Sequence, residues 1–411
     1  MASKKIIFRI KEGAQPESFI PFIPLSSGFK IERLYDISNE VNSILSSDFL
    51  TMSNLDINKF FDNNIYPSKP EVDKKLYRTY KIKLNSDEDA KSIYKNFKDN
   101  PDIEYVQFDE LNELYYTPND PLFGKLWGLQ KIKCKEAWDI SLGDSILVAV
   151  IDTGVDYNHI DIVNNIWINA NGKHGKDFID KDDDPMDYHG HGTHVAGTIA
   201  AIINNNIGIT GVAPKTKILC VKIFPNPLDS VCAEAIKYAI DNGARILNNS
   251  WGSPVRRVSN PAVEDAIDYA YSRGGIVIFA AGNSGDDVKY YSPANYSKVI
   301  SVASTNINDQ RASDSNYGNL ITVSAPGVEI LSLKNGSNDY ALDSGTSMAA
   351  PHVSGLVALM LSLNPNLSFE QIKTIIQNNV DFIASDKPIG TGRINAQKCL
   401  NGIAALAIID K

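Results

Sequence analysis

The chain has 411 residues, a length that predicts two domains. Its hydrophobic content of 43% and charged content of 22% are those of a globular protein with a sizeable core. The net charge of −9 argues against nucleic acid as a partner, whose phosphates need clustered Lys and Arg, and no run approaches the ~20 apolar residues of a membrane span.

The start, Met1-Ala2-Ser3-Lys4-Lys5, is followed only by Ile6-Ile7-Phe8 before Arg9, too short for a signal-peptide core. Lys4–Lys11 and Tyr80–Leu84 read as strands. Between Ser86 and Asp99 a helix is expected: Ser86 with Asp87, Glu88 and Asp89 marks its start, and Ile93, Tyr94 and Phe97 form an apolar face. Pro101 closes it, and Ile103, Tyr105, Val106 and Phe108 begin another strand. Residues 1–115 therefore make a small α+β unit with a Ser/Asn-rich stretch over 36–70 and no catalytic constellation.

From Trp138 onward the pattern alternates. Apolar strands are expected at Ile146–Ile151, Ile218–Ile223, Arg245–Asn249, Ile276–Ala281 and Val299–Ala303, with helices including Ser230–Asp241 and Ala262–Arg273 between them. Strands apolar on both faces, alternating with helices, indicate a parallel sheet in an α/β layer. Ligand sites in such sheets lie beyond the C-terminal strand ends, where Asp152 and Asn283 fall. Cys134, Cys220, Cys232 and Cys399 have no metal-type spacing; Cys220, inside an apolar run, is expected to be buried.

Three short segments carry chemistry: Asp152-Thr153-Gly154, His191-Gly192-Thr193-His194, and Gly345-Thr346-Ser347-Met348-Ala349-Ala350-Pro351. They bring a carboxylate, an imidazole and a hydroxyl, the parts of an activated Ser nucleophile. Taken singly each has a bland reading: a turn Asp, packed histidines, a Gly-Thr-Ser turn. His189 and His191 with a carboxylate could also hold zinc, the basis of a metal-dependent hydrolase. Neither alternative explains why the three segments occur together. Gly345 permits a tight turn before Ser347, and Met348–Leu363 is expected to be helical with Pro351 in its first turn, so Ser347 stands at a helix N-terminus.

The segments Ile151-Asp152-Thr153-Gly154, Gly190-His191-Gly192-Thr193-His194-Val195-Ala196-Gly197, Ala280-Ala281-Gly282-Asn283 and Gly345–Pro351 resemble the four signature blocks of the subtilase family, most of all its thermitase-like members. The order Asp…His…Ser is the known one of subtilisin, so it is recognised rather than derived. The resemblance runs from about Tyr116 to the C-terminus. It implies a three-layer, parallel-sheet catalytic domain over 116–411, preceded by a ferredoxin-like α+β prodomain over 1–115 that serves as inhibitor and chaperone. It also implies a self-processing serine endopeptidase with Ser347 as nucleophile, His191 as base and then acid, Asp152 orienting His191, and Asn283 as oxyanion donor. An inactive peptide-binding pseudoprotease is the other alternative, weakened by the presence of all four residues.

The same resemblance assigns Ser250-Trp251-Gly252 and Ala280-Ala281-Gly282 to the two walls of the substrate cleft, with Tyr291 near the pocket floor. Neither wall carries a carboxylate, so apolar or aromatic residues are expected before the cleaved bond. A tight calcium site is implied at Asp120, Asp161 and Asn205 by side chain and at Ile202, Ile207 and Ile209 by carbonyl. The run from Asp177 to Asp184 suggests a second, using Asp177, Asp180, Asp182 and Asp184. Cleavage is expected between Tyr115 and Tyr116. Polypeptide substrates, the chain's own propeptide as a partner, a monomer, and a secreted or cell-surface location (with the cytoplasm as alternative) complete the expectation.

Overall fold

The protein is described by a computed structural model covering residues 5–14, 18–23, 29–34, 45–46, 75, 78–109 and 117–409. The chain divides into two compact units, Met1–Tyr115 and Tyr116–Lys411. Tyr115 and Tyr116, and all of the stretch 36–70 except Leu45–Ser46, lie outside the described residues.

In the first unit, strands β1 (Lys5–Ile10), β2 (Phe29–Arg33), β3 (Leu45–Ser46), β4 (Thr79–Leu84) and β5 (Ile103–Phe108) form one antiparallel sheet in the order β3-β2-β4-β1-β5. Helix α1 (Asp87–Lys98) follows β4. It starts where expected because the Ser86 side chain accepts from Asp89 N (3.1 Å), satisfying one of the free N–H groups of the first turn. Ala90, Ile93 and Phe97 are its buried face, and the Phe97 ring meets Phe8 of β1 edge-on at 5.0 Å.

The second unit is built on a seven-stranded sheet whose hydrogen-bonded neighbours all run parallel. In chain order the strands are β6 (Leu147–Asp152), β7 (Gly175–Asp177), β8 (Lys217–Lys222), β9 (Ile246–Asn249), β10 (Ile276–Ala280), β11 (Ile300–Thr305) and β12 (Val323–Pro326); in space they lie β12-β11-β10-β9-β6-β8-β7. Alternate residues of β6 serve opposite faces. Val148 and Val150 join a core with helices α2 (His191–Ala200) and α5 (Thr346–Leu363), while Ala149 and Ile151 join another with α3 (Asp229–Asp241) and α4 (Pro261–Ser272). This is the expected α/β layer, with helices on both faces of a parallel sheet.

Helix α5 bears on one expectation and corrects another. Among the described residues it is the one helix long and apolar enough to cross a membrane, and 83% of that stretch is buried inside the protein. It also begins at Thr346 rather than Met348, which puts Pro351 in its second turn. A proline there has no N–H for the carbonyl four residues back. That carbonyl, Ser347 O, takes the Ser250 hydroxyl instead (2.9 Å). Past β12, an antiparallel hairpin of β13 (Ile330–Lys334) and β14 (Asp339–Asp343) leads into this helix.

Candidate active site

Asp152 is the last residue of β6 and only 1% exposed. Its Oδ1 accepts from Thr153 N and lies against His191 Nδ1, both at 2.7 Å. His191 opens α2, so its ring stands at a helix start directly beside the strand end. Burial pulls the His191 ring down, but the Asp152 carboxylate outweighs it, helped by Asp343 and Asp187, and the imidazole is pushed up to about 9.

Sequence reasoning missed the residue that joins these two elements. Asp187, 3% exposed, accepts through Oδ1 from Thr153 Oγ1, His189 N and Gly190 N, each at 2.9 Å. Its Oδ2 accepts from Thr193 N (2.9 Å) and Thr193 Oγ1 (2.7 Å). Thr153 Oγ1 in turn accepts from Gly192 N at 2.9 Å. One carboxylate thus fixes both the turn after β6 and the first turn of α2. The available signal was an Asp followed by His-Gly just ahead of an apolar helical run, the pattern of an Asx turn capping a helix.

Ser347 is the second residue of α5, after Gly345, whose φ of +148° makes the turn that the sequence predicted there. Its Oγ donates to Ser250 O (3.0 Å), reciprocating the Ser250 Oγ bond to Ser347 O. Asn283 follows β10, and its Oδ1 accepts from both Thr346 N and Thr346 Oγ1 at 2.9 Å. The amide oxygen is occupied, which leaves the nitrogen as the group on offer.

A cleft of about 930 Å³ opens beside these elements, lined among others by Asp152, His191, Ser250, Trp251 and Gly252. Trp251 is braced edge-on by Phe279 at 4.9 Å. The other expected wall, Ala280, Ala281 and Gly282, is not part of its lining, nor are Asn283 and Ser347. That wall is tied to the Ser347 helix, with Gly282 N donating to Thr346 Oγ1 (3.1 Å). Tyr291 is buried, and its hydroxyl donates to Asp286 (3.0 Å).

Of the other two histidines in this segment, His189 lines the cleft and His194 is held by the hairpin. His189 and His191 lie with ring centres 6.4 Å apart, and among the described residues no three His, Cys, Asp or Glu side chains are grouped to hold a metal ion, so the zinc reading has no ligand set. His194 contacts Ile330 O (2.9 Å) and Ala341 O (3.1 Å), pinning both strands of the hairpin to α2. All four cysteines are free and buried.

Asp120 (3% exposed) and Asp161 (0%) come together with the 202–209 loop. Asp120 accepts from Asn204 N (3.0 Å) and Asn205 N (3.4 Å). Asp161 accepts from Asn205 Nδ2 (2.6 Å), Ile209 N (2.9 Å) and Tyr340 OH (3.0 Å). Ile202 N donates to Asp161 O (2.8 Å), and Ile207 N to Asn205 Oδ1 (2.8 Å). Burial, with the charge of Asp120 adding to it, pushes Asp161 up to about 6. The acidic run behaves otherwise. Asp177 pairs with Lys222 (2.7 Å), Asp183 with Lys176 (3.3 Å), and Asp184 accepts from Tyr157 OH (2.7 Å). Asp177, Asp180, Asp182 and Asp184 are not brought to one point.

Residues 143–397 match the model of the subtilase family, peptidase S8. The chain belongs to the subtilase family. This subtilase is 41% identical over 290 residues to thermitase from Thermoactinomyces vulgaris, covering 69% of this chain and 99% of that one. It is 41% identical over 316 residues to the thermophilic serine proteinase of Bacillus sp. (strain AK1), covering 75% of each chain. Among solved structures it resembles a protease from Pseudoalteromonas arctica with a TM-score of 0.64 at 31% identity, over 70% of this chain and all of that one. This subtilase is a subtilisin-like serine endopeptidase, acting on polypeptides.

Proposed function

We propose that Ser347, His191 and Asp152 are the catalytic triad of this endopeptidase and that Asn283 and the Ser347 N–H bind the oxyanion. The observation that carries this reading is the 2.7 Å contact of Asp152 with His191 in a cleft whose wall, Ser250, also holds Ser347 Oγ. Asp152 accepts a hydrogen bond from the Nδ1–H of His191, which fixes the tautomer that leaves Nε2 as the base. The Ser347 hydroxyl turns from Ser250 O to His191, gives up its proton, and Oγ bonds to the carbonyl carbon of the substrate. The oxyanion that forms is met by Asn283 Nδ2, whose oxygen Thr346 already holds, and by the Ser347 N–H in the first turn of α5. Collapse expels the amine, which takes the proton from His191; water then repeats the sequence on the acyl-enzyme.

The walls Ser250–Gly252 and Ala280–Gly282 carry no carboxylate, which supports apolar or aromatic residues before the cleaved bond. The first unit acts as propeptide. Its four longer strands in the order β5-β1-β4-β2, with α1 after β4, are a ferredoxin-like arrangement and support that role, with cleavage between Tyr115 and Tyr116. Calcium fits Asp120 and Asp161: both are buried, take neutral N–H and O–H donors, and gain from a cation between them. Asn205 and the carbonyls of Ile202, Ile207 and Ile209 complete the set, and the ion's contribution is to fold stability. The acidic run is the weaker candidate for a second ion, because Lys222 pairs with Asp177 and Lys176 with Asp183.

The test is expression of the wild type and Ser347→Ala, followed by gel and N-terminal sequencing. Self-cleavage near residue 115 in the wild type alone supports nucleophile and propeptide together; equal processing of both overturns self-cleavage. Labelling with a serine-directed phosphonyl fluoride separates the two claims, since failure to label Ser347 overturns its role. Strict Arg or Lys selectivity in a substrate series would overturn the proposed pocket.

A further inference from the structure

An oxyanion donor works only if its N–H is held where the charge develops, within a fraction of an ångström. Asn283 stands in a loop, residues 281–286, that belongs to no helix or strand. One residue far along the chain fastens this loop on both sides of Asn283. Asn316 is 0% exposed, and its Nδ2 donates to Ala281 O at 2.8 Å. Its Oδ1 accepts from Ser284 N (3.1 Å) and Asp286 N (3.0 Å), and its backbone N donates to Gly282 O (2.8 Å).

The approach is too close for any residue but glycine at 282. Its φ is +100°, and a Cβ there would lie 2.5 Å from Asn316 Nδ2. Asn316 is itself tied to the central sheet. Ser315 Oγ donates to Asn316 O and accepts from Ser304 N of β11, both at 3.0 Å. A line of buried hydrogen bonds therefore runs from β11 through Ser315 and Asn316 to the loop, opposite the grip of Thr346 on the Asn283 amide.

We propose that Asn316 is a positioning residue for the oxyanion donor: it holds the 281–286 loop so that the Asn283 amide nitrogen faces the developing charge. This rests on the role of Asn283 given above. An interaction that matters only in the transition state is lost from kcat and not from KM, so a positioning role has a kinetic mark that a merely structural one lacks.

The test is a cycle of Asn316→Ala, Asn283→Ala and the double variant in the full-length chain after processing, with kcat and KM on a peptide anilide. Asn316→Ala should lower kcat about ten- to a hundredfold, the scale of an ångström-sized misplacement, with KM little changed. In the Asn283→Ala background the same change should cost little more. Asn316→Asp keeps an oxygen for Ser284 N and Asp286 N but sets a second acceptor against Ala281 O, so a kcat loss that likewise vanishes in the Asn283→Ala background is expected. An undiminished Asn316→Ala loss in the Asn283→Ala background overturns the positioning role alone. If Asn283→Ala itself leaves kcat unchanged, the donor reading falls and the proposal with it.

Discussion

Asp152 and Asp177 close β6 and β7, the two strands that flank β8, and each is 1% exposed. Both meet a nitrogen at 2.7 Å, His191 Nδ1 for one and Lys222 Nζ for the other. Burial pulls Lys222 down, but Asp177 outweighs it and holds the ammonium above its ordinary range. That pair holds β7 to β8. His191 sits where a proton can leave and return. Two carboxylates in matching places thus do different work because of their partners, and the sheet frame is indifferent to which.

The contrast can be broken by mutation. Asp152→Asn should lower kcat about 10⁴-fold, the loss found when the same carboxylate is removed from other serine proteases; a drop of only a few-fold would put Asp152 in the same class as Asp177. Calcium loading at a thousand times its dissociation constant stabilises by about 4 kcal/mol. Chelation should remove that stabilisation in the wild type and change little in Asp161→Asn, read by melting temperature. Asp177→Asn keeps the turn bonds from Ile179 N and Asp180 N but strands Lys222, and should cost about 3 kcal/mol while turnover survives.

The pH response sharpens the contrast, because activity and stability should move in opposite directions. His191 is raised to about 9 from an ordinary value near 6.5. A raised imidazole stabilises the fold fully below the unfolded value, and that contribution is lost as pH climbs through the folded one. The base, however, works only when neutral, so kcat/KM should rise through about pH 9 while the melting temperature gives up the stabilisation of the pair. Parallel rise of both would show that another group controls one of them.

The parallel sheet is legible in the sequence because strands buried on both faces, such as Ile276–Ala280, are continuous apolar runs between helical stretches. The proposed site residues are legible because each sits in a short segment at an element end. What escapes is built by contacts between distant segments. Asp187 and Thr153 meet across 34 positions and Asn316 and Ala281 across 35, and nothing local to those residues announces the bond. β7, with three residues, is too short to show a period, and Val323-Ser324-Ala325-Pro326 carries no continuous apolar run. Pro351 misled because a proline usually marks a first turn; its place in the second is tolerated through Ser250, nearly a hundred positions away.

The acidic run poses a related question, since density along the chain suggests a metal site while its counter-charges come from elsewhere. Lys222 comes from β8, and Lys176 from just upstream in β7. Asp183 is the member to test, being 52% exposed in its side chain and paired only with Lys176 at 3.3 Å. An exposed pair of that kind contributes less than about 1 kcal/mol, since water and salt screen it and both side chains lose freedom in forming it. Asp183→Asn should therefore shift the melting temperature by no more than a degree or two, and equally with calcium and with chelator. A calcium-dependent shift would mean that the run gathers round an ion after all. Equal shifts would mark Asp183 as a solvated acid, in contrast to Asp120 and Asp161, sparse in sequence but buried, which are proposed to hold an ion.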